Sequence, residues 1–173
     1  MSRGSARDPR LEEALRHLDP PPRFRPWHGG PTVLGALKGL SPGVAAWRPY
    51  PDRHSIWDLA LHAAYWNYAV ERRLTGSPRG GFPRRPANWP SCAPGKPDAA
   101  WALDQELVRD RHDRLVAALR EFDPARLGER AAGGRRTTFA DLITGVLLHD
   151  TYHAGQIQML KRLARSAGLE VPS

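Results

Sequence analysis

The chain has 173 residues, 40% of them hydrophobic and 25% charged, and this composition is typical of one globular domain rather than of a disordered chain. Its single cysteine, Cys92, excludes an internal disulfide framework and any metal cluster held by cysteines alone. No apolar run approaches the ~20 residues that span a bilayer, and no apolar segment stands where a signal peptide would. We therefore expect a cytoplasmic protein that does not enter a membrane.

The formal net charge is +8, and a basic balance of this kind is common in nucleic-acid-binding proteins. Most of it comes from a basic segment, residues 72–97, which contains no acidic residue. Its basic residues are Arg72, Arg73, Arg79, Arg84, Arg85 and Lys96. The segment has no helix that could enter a groove and only Phe82 and Trp89 to stack on bases, so we expect no nucleic-acid binding. Three alternatives remain for this segment: a lid over a substrate, a site for a partner, or a solvated loop.

Residues 1–26 are rich in arginine and proline and are predicted to form an N-terminal arm that is only partly ordered. Within the arm, residues 11–18 have the pattern of two helical turns. Three prolines after Asp19 end this pattern, because proline cannot continue a helix.

Residues 27–170 are predicted to form one domain. Its first helix is expected over residues 31–40. The second begins at Ser55, where Ser55 and Asp58 have the spacing of a capping box, and Gly76 marks its end.

A loop rich in proline and glycine, residues 75–97, follows the second helix. Loops of this length are often functional, and Phe82 and Trp89 indicate that this one packs against the domain. A third helix is predicted from residue 97 or 98 to residue 122, and a fourth from residue 138 to about residue 165. No strand pattern competes with these helices, so the sequence predicts an all-α, antiparallel four-helix bundle.

Two of the seven histidines, His149 and His153, lie four residues apart on the fourth helix and therefore on one face. They fall on the apolar stripe between Val146 and Ile157, which points them into the bundle. His62 lies in the middle of the second helix at the edge of its stripe. Three neutral imidazoles from two facing helices are a common ligand set for one divalent metal with an open position. Histidines hydrogen-bonded to carbonyl groups, without a metal, remain the alternative.

Other motifs fit less well. The run from His149 to His153 is similar to the His-Glu-x-x-His of zinc proteases, but Asp150 is shorter than the expected base and Glu170 is the one carboxylate side chain that follows. The His-Asp dipeptide also occurs in metal-dependent phosphohydrolases, which need more helices and ligands. A di-iron carboxylate bundle is excluded because no helix carries Glu-x-x-His.

Three further residues are candidates for the pocket or for support of the ligands. Asp58, four residues before His62, either orients an imidazole or only caps its helix, and capping is favoured. His54 stands at the expected mouth of the pocket. Gln156 follows His153 by nearly one turn and can hydrogen-bond a substrate or a neighbouring helix.

Two segments together, residues 54–66 (HSIWDLALHAAYW) and residues 148–157 (LHDTYHAGQI), resemble the DinB/YfiT family of metalloenzymes. The resemblance covers roughly residues 28–165. It implies an up-down-down-up bundle that holds one divalent metal on three histidines, with the proline-rich loop as the long crossover. The residues that match the ligand positions are His62, His149 and His153.

The resemblance implies less about the reaction. Some members of the family are similar to thiol S-transferases that use a low-molecular-weight thiol such as bacillithiol or mycothiol, and others to isomerases or glutathione-dependent enzymes. We therefore expect zinc, nickel, iron or manganese in a transferase or hydrolase that acts on a small electrophilic substrate. The alternative is a non-catalytic, metal-carrying bundle that serves as a binding or damage-response partner. Six tryptophans provide apolar surface that a homodimer could bury.

Overall fold

The computed structural model describes residues 8–24, 30–78, 80–90, 98–131 and 136–172. Across these ranges the regular structure is helical, apart from one isolated bridge between Arg130 and Thr138. The helices are α1 (Pro9–Leu18), α2 (Val33–Leu37), α3 (Pro42–Ala46), α4 (Ile56–Thr75), α5 (Asp98–Glu121) and α6 (Phe139–Ser166). The predicted all-α bundle is confirmed. None of the described helices is long and apolar enough to cross a membrane.

The two helices that carry the histidines begin at capping boxes. Before α4, the Ser55 hydroxyl accepts from the Asp58 backbone N–H at 3.2 Å, and the Asp58 carboxylate accepts from the Ser55 N–H at 2.9 Å. Thr138 and Asp141 form the same pair before α6. Gly76 ends α4 with a φ of 69°, a left-handed conformation that glycine adopts without strain. These ends agree with the predicted ones.

We expect Ser55→Ala to lower the free energy of unfolding by about 1 kcal/mol, because α4 loses the acceptor for its third backbone N–H. Ser55 is fully buried, so water cannot easily replace its hydroxyl. Urea unfolding followed by circular dichroism measures the change. Ser166→Ala, exposed in the last turn of α6, is the control and should shift stability by less than about 0.5 kcal/mol. Equal losses in both variants would contradict this account of the cap.

Helices α4 and α5 run in the same direction. Near their first turns, the Trp57 indole N–H donates to the Asp104 carboxylate at 2.7 Å. Toward their last turns, Val70 and Leu74 share a buried cluster with Leu115. A parallel pair cannot be joined by a short turn, so the chain between them must cross the length of the bundle, and residues 80–90 are the described part of that crossover.

Helix α6 runs antiparallel to α4. Leu59 near the start of α4 and Leu160 near the end of α6 line one cavity, whereas Val70 and Val146 line another. Helix α1 packs against α5 and α6 and buries four side chains in the same cluster as Val146. Those four are Leu11, Ala14, Leu15 and Leu18.

Residues 31–40, expected as the first helix, contain only the short α2, and α3 follows it after a break. Gly39 has a φ of 73° and Pro42 opens α3, so one continuous helix is not possible there. The fourth long helix among the described residues is instead α1. The predicted N-terminal arm thus includes a helix that packs on the bundle.

Candidate metal centre

Three imidazoles converge where α4 faces the middle of α6. His62 lies on α4, and His149 and His153 lie one turn apart on α6. The His149 Nε2 atom is 3.1 Å from the Nε2 atoms of both His62 and His153. His62 and His153 are 5% and 4% exposed, whereas His149 is partly exposed. The histidines predicted from spacing therefore lie together, within the distances over which one metal ion is bound.

The partners of two of these rings fix which nitrogen carries the proton. His62 Nδ1 meets the backbone carbonyl of Asn88, and a carbonyl only accepts, so Nδ1 is the donor. His153 Nδ1 lies 2.7 Å from Oε1 of Gln156 and donates to it in the same way. In a neutral imidazole the other nitrogen then carries a lone pair. Both Nε2 lone pairs point toward His149.

The neutral His149 ring has one N–H, so it cannot donate to the Nε2 lone pairs of both His62 and His153. An N–H on His149 Nε2 can point at one lone pair, and His149 Nδ1 is then a buried acceptor without a hydrogen-bond partner among the described residues. A cation between the three Nε2 atoms would satisfy all of them. Ligand distances of ~2.0–2.1 Å at tetrahedral angles place nitrogens ~3.3 Å apart, close to the spacing found. The three histidines thus fit a divalent metal. In such sites the ring nitrogen that does not bind the metal commonly donates a hydrogen bond, as Nδ1 of His62 and of His153 does here.

Burial favours the neutral form of two of these imidazoles. It is the largest cause that lowers the pKa of His62, and the neighbouring His149 acts in the same direction. Burial and the neighbouring His149 lower the pKa of His153 to about 4, although the hydrogen bond to Gln156 opposes the shift. Imidazoles must be neutral to bind a metal, so at neutral pH these two are ready to do so.

The proline-rich loop covers one side of the cluster. The Trp89 ring stacks on His62 at 3.6 Å between centroids and on His54 at 4.1 Å, so it lies between the two imidazoles. Phe82 is buried against the bundle, as predicted for a loop that packs on the domain. The loop is anchored by Arg84, whose Nε donates to the buried Asp104 carboxylate at 2.6 Å.

An apolar cavity of about 450 Å³ opens beside His153. His54 and Gln156, both expected near the pocket, line it. Its other lining residues include Leu59, Trp89, Tyr152, Met159 and Leu160. A cavity of this size takes a small molecule, and its wall reaches one of the three histidines.

Asp58 lies elsewhere. Besides capping α4, its buried carboxylate pairs with the Arg48 guanidinium at 2.7 Å, while His54 Nδ1 is 3.8 Å away. The structure therefore places Asp58 in the cap and in an ion pair rather than in the cavity wall. Cys92 lies outside the described residues.

Sequence reasoning missed two supports of the cluster. Asn88 contributes only a backbone carbonyl, which leaves no signature in the residue type. Asp104 lies in the amphipathic pattern of α5, and the signal that could have marked it is a charged residue at a buried helical position.

Comparison with known proteins agrees with this architecture. A family model described as the DinB superfamily matches residues 29–157, which include all three histidines of the cluster. Searches of curated proteins and of solved structures returned no match. The matched range holds α2 to α5 and most of α6. The chain belongs to the DinB superfamily.

Proposed function

We propose that His62, His149 and His153 hold one divalent transition metal and that the chain is a metal-dependent transferase or hydrolase acting on a small electrophilic substrate. The observation that carries the proposal is the cavity beside His153, because a purely structural metal site would be enclosed by protein ligands. A metal bound there would supply a Lewis acid able to lower the pKa of water or of a low-molecular-weight thiol.

The chain's own side chains would position the reactants. Leu59, Met159 and Leu160 form apolar walls that can contact the non-polar part of a substrate, and Arg53 lines the same cavity. His54 lies in the same wall and can accept or donate a proton at the substrate. Trp89 shields the face of His62 from solvent, and Gln156 fixes the ring of His153.

The test is elemental analysis of the purified protein, followed by a thiol-transfer and hydrolysis screen against small electrophiles. We expect turnover with protein reloaded with one of zinc, nickel, iron or manganese, and loss of turnover after chelation. Metal at full occupancy with no turnover in any arm would contradict the enzyme and favour the metal-carrying binding protein.

The hydrogen bond to Gln156 gives a prediction about metal affinity. Gln156→Leu removes the acceptor that orients His153 Nδ1–H, and losses of such partners weaken metal binding ~10–100-fold. Competition with a chromophoric chelator measures the affinity. Gln158→Leu on the same helix is the control and should bind as the unmodified chain does. Equal affinities in the two variants would show that the hydrogen bond does not support the site.

A further inference from the structure

A second cavity, of about 790 Å³, lies between the last half of α4 and the first part of the proline-rich loop. Its walls are polar and cationic, unlike those of the cavity beside His153. Three arginines line it, namely Arg72, Arg73 and Arg85, together with Tyr65, Tyr68, Phe82 and the glycines at 80 and 81. No acidic side chain is among the described residues that form its walls.

Arg84 turns away to the buried Asp104, which neutralises it. In the part of the chain that the structure describes, no carboxylate pairs in this way with the three lining arginines. The Arg72 guanidinium donates to a neutral group, the backbone carbonyl of Ser77. Glu71, the acidic neighbour on α4, is not among the residues that line the cavity.

The loop backbone lies close to a side chain at two points of the cavity wall. The Tyr68 hydroxyl lies in the wall, shielded from solvent, with no hydrogen-bond partner in the described part of the chain. The loop passes so close to it that a side chain at Gly80 would come within 3.3 Å of the oxygen. Arg85 is exposed, and a Cβ at Gly81 would lie 3.8 Å from its Nη2 atom, so the guanidinium stays close to the loop backbone at the cavity.

We propose that this cavity binds a small polyanion carrying two or more phosphate or carboxylate groups. Guanidinium groups pair with both kinds of oxyanion through two parallel hydrogen bonds. The Tyr65 ring, which is partly buried in the cavity wall, can pack on the non-polar part of such a ligand. This site is separate from the metal centre and does not depend on the proposed reaction.

The shape of the site favours a small molecule over a nucleic acid. The cationic groups line a concave cavity bounded by α4 and the loop, whereas a nucleic acid needs a basic stripe that follows its backbone. Phe82 is buried in the core, so it is not available to stack on a base.

Isothermal titration calorimetry of the full chain at fixed ionic strength tests the proposal, with sodium tripolyphosphate and citrate as probes. We expect at least one to bind, and which one binds identifies the oxyanion. Arg73→Gln and Arg85→Gln should each weaken binding about tenfold, the loss expected for one charged hydrogen bond. Arg162→Gln, exposed near the end of α6, changes the net charge equally and should bind as the unmodified chain does.

Four outcomes would overturn the proposal. The first is that neither probe binds. The second is that all three arginine variants lose affinity equally, which indicates a general charge effect. The third is loss of binding in His149→Ala, because both probes chelate metals and would then be held at the histidine cluster. The fourth is that a short single-stranded oligonucleotide binds more tightly than both probes and loses affinity in the Arg73 and Arg85 variants.

Discussion

Replacing His149 with alanine is expected to reduce the bound metal from about one ion per chain to nearly none. His149 Nε2 is the atom that contacts both other Nε2 atoms of the cluster, so its loss leaves two imidazoles on different helices. Two neutral ligands hold a divalent ion far more weakly than three. Mass spectrometry of the elements in dialysed protein gives the metal content per chain.

The matched control is His17→Ala. His17 lies on α1, outside the cluster, and its Nδ1 bonds the backbone carbonyl of Glu13. This variant should keep its metal. Circular dichroism of His149→Ala should show an intact helical fold, because the side chain is partly exposed and its removal opens no core cavity. Unchanged metal content in His149→Ala, with the fold intact, would contradict the proposed ligand set.

Asp104→Ala is expected to lower the free energy of unfolding by about 2–3 kcal/mol. The Asp104 carboxylate is 1% exposed and accepts from the Trp57 indole N–H and from the Arg84 guanidinium. Without this carboxylate, the Trp57 indole N–H has lost its buried acceptor, and the loop has lost the ion pair through Arg84 that anchors it. Arg84 is about one-third exposed and can turn to water, which keeps the cost below that of a fully buried pair.

Chemical unfolding measures this change, and Asp113→Ala, exposed on the same helix, should alter stability by less than about 0.5 kcal/mol. A second measurement separates the loop from general stability. Because the loop carries Trp89 onto His62, Asp104→Ala should increase quenching of tryptophan fluorescence by acrylamide under native conditions. Equal stability and equal quenching in both variants would show that Asp104 does not anchor the loop.

The long helices could be predicted from sequence because their signals are local. Capping boxes at Ser55 and Thr138 and the left-handed Gly76 are set by residues within one turn of each other. The short first helix was predicted over residues 31–40, and the structure contains it as α2, which ends earlier. The left-handed Gly39, with a φ of 73°, keeps the helical backbone from continuing to residue 40.

The histidine cluster was predictable for a similar reason. His149 and His153 share a face by spacing alone. His62 was a candidate from its place at the edge of the second helix's apolar stripe, and the family resemblance matched the same residue. The covering groups were not predictable, because Asn88 acts through its backbone and Trp89 reaches His62 only after the loop has folded back. The arginines that contribute to the net charge of +8 have different roles in the fold. Arg84 anchors the loop, whereas Arg73 and Arg85 line a cavity.

X-ray absorption spectroscopy of the zinc-loaded full chain tests the central claim most directly. We expect three imidazole nitrogens at ~2.0–2.1 Å from the metal and at least one further light-atom ligand from solvent. A shell dominated by carboxylate oxygens, or by sulfur from Cys92, would contradict a metal centre built on His62, His149 and His153.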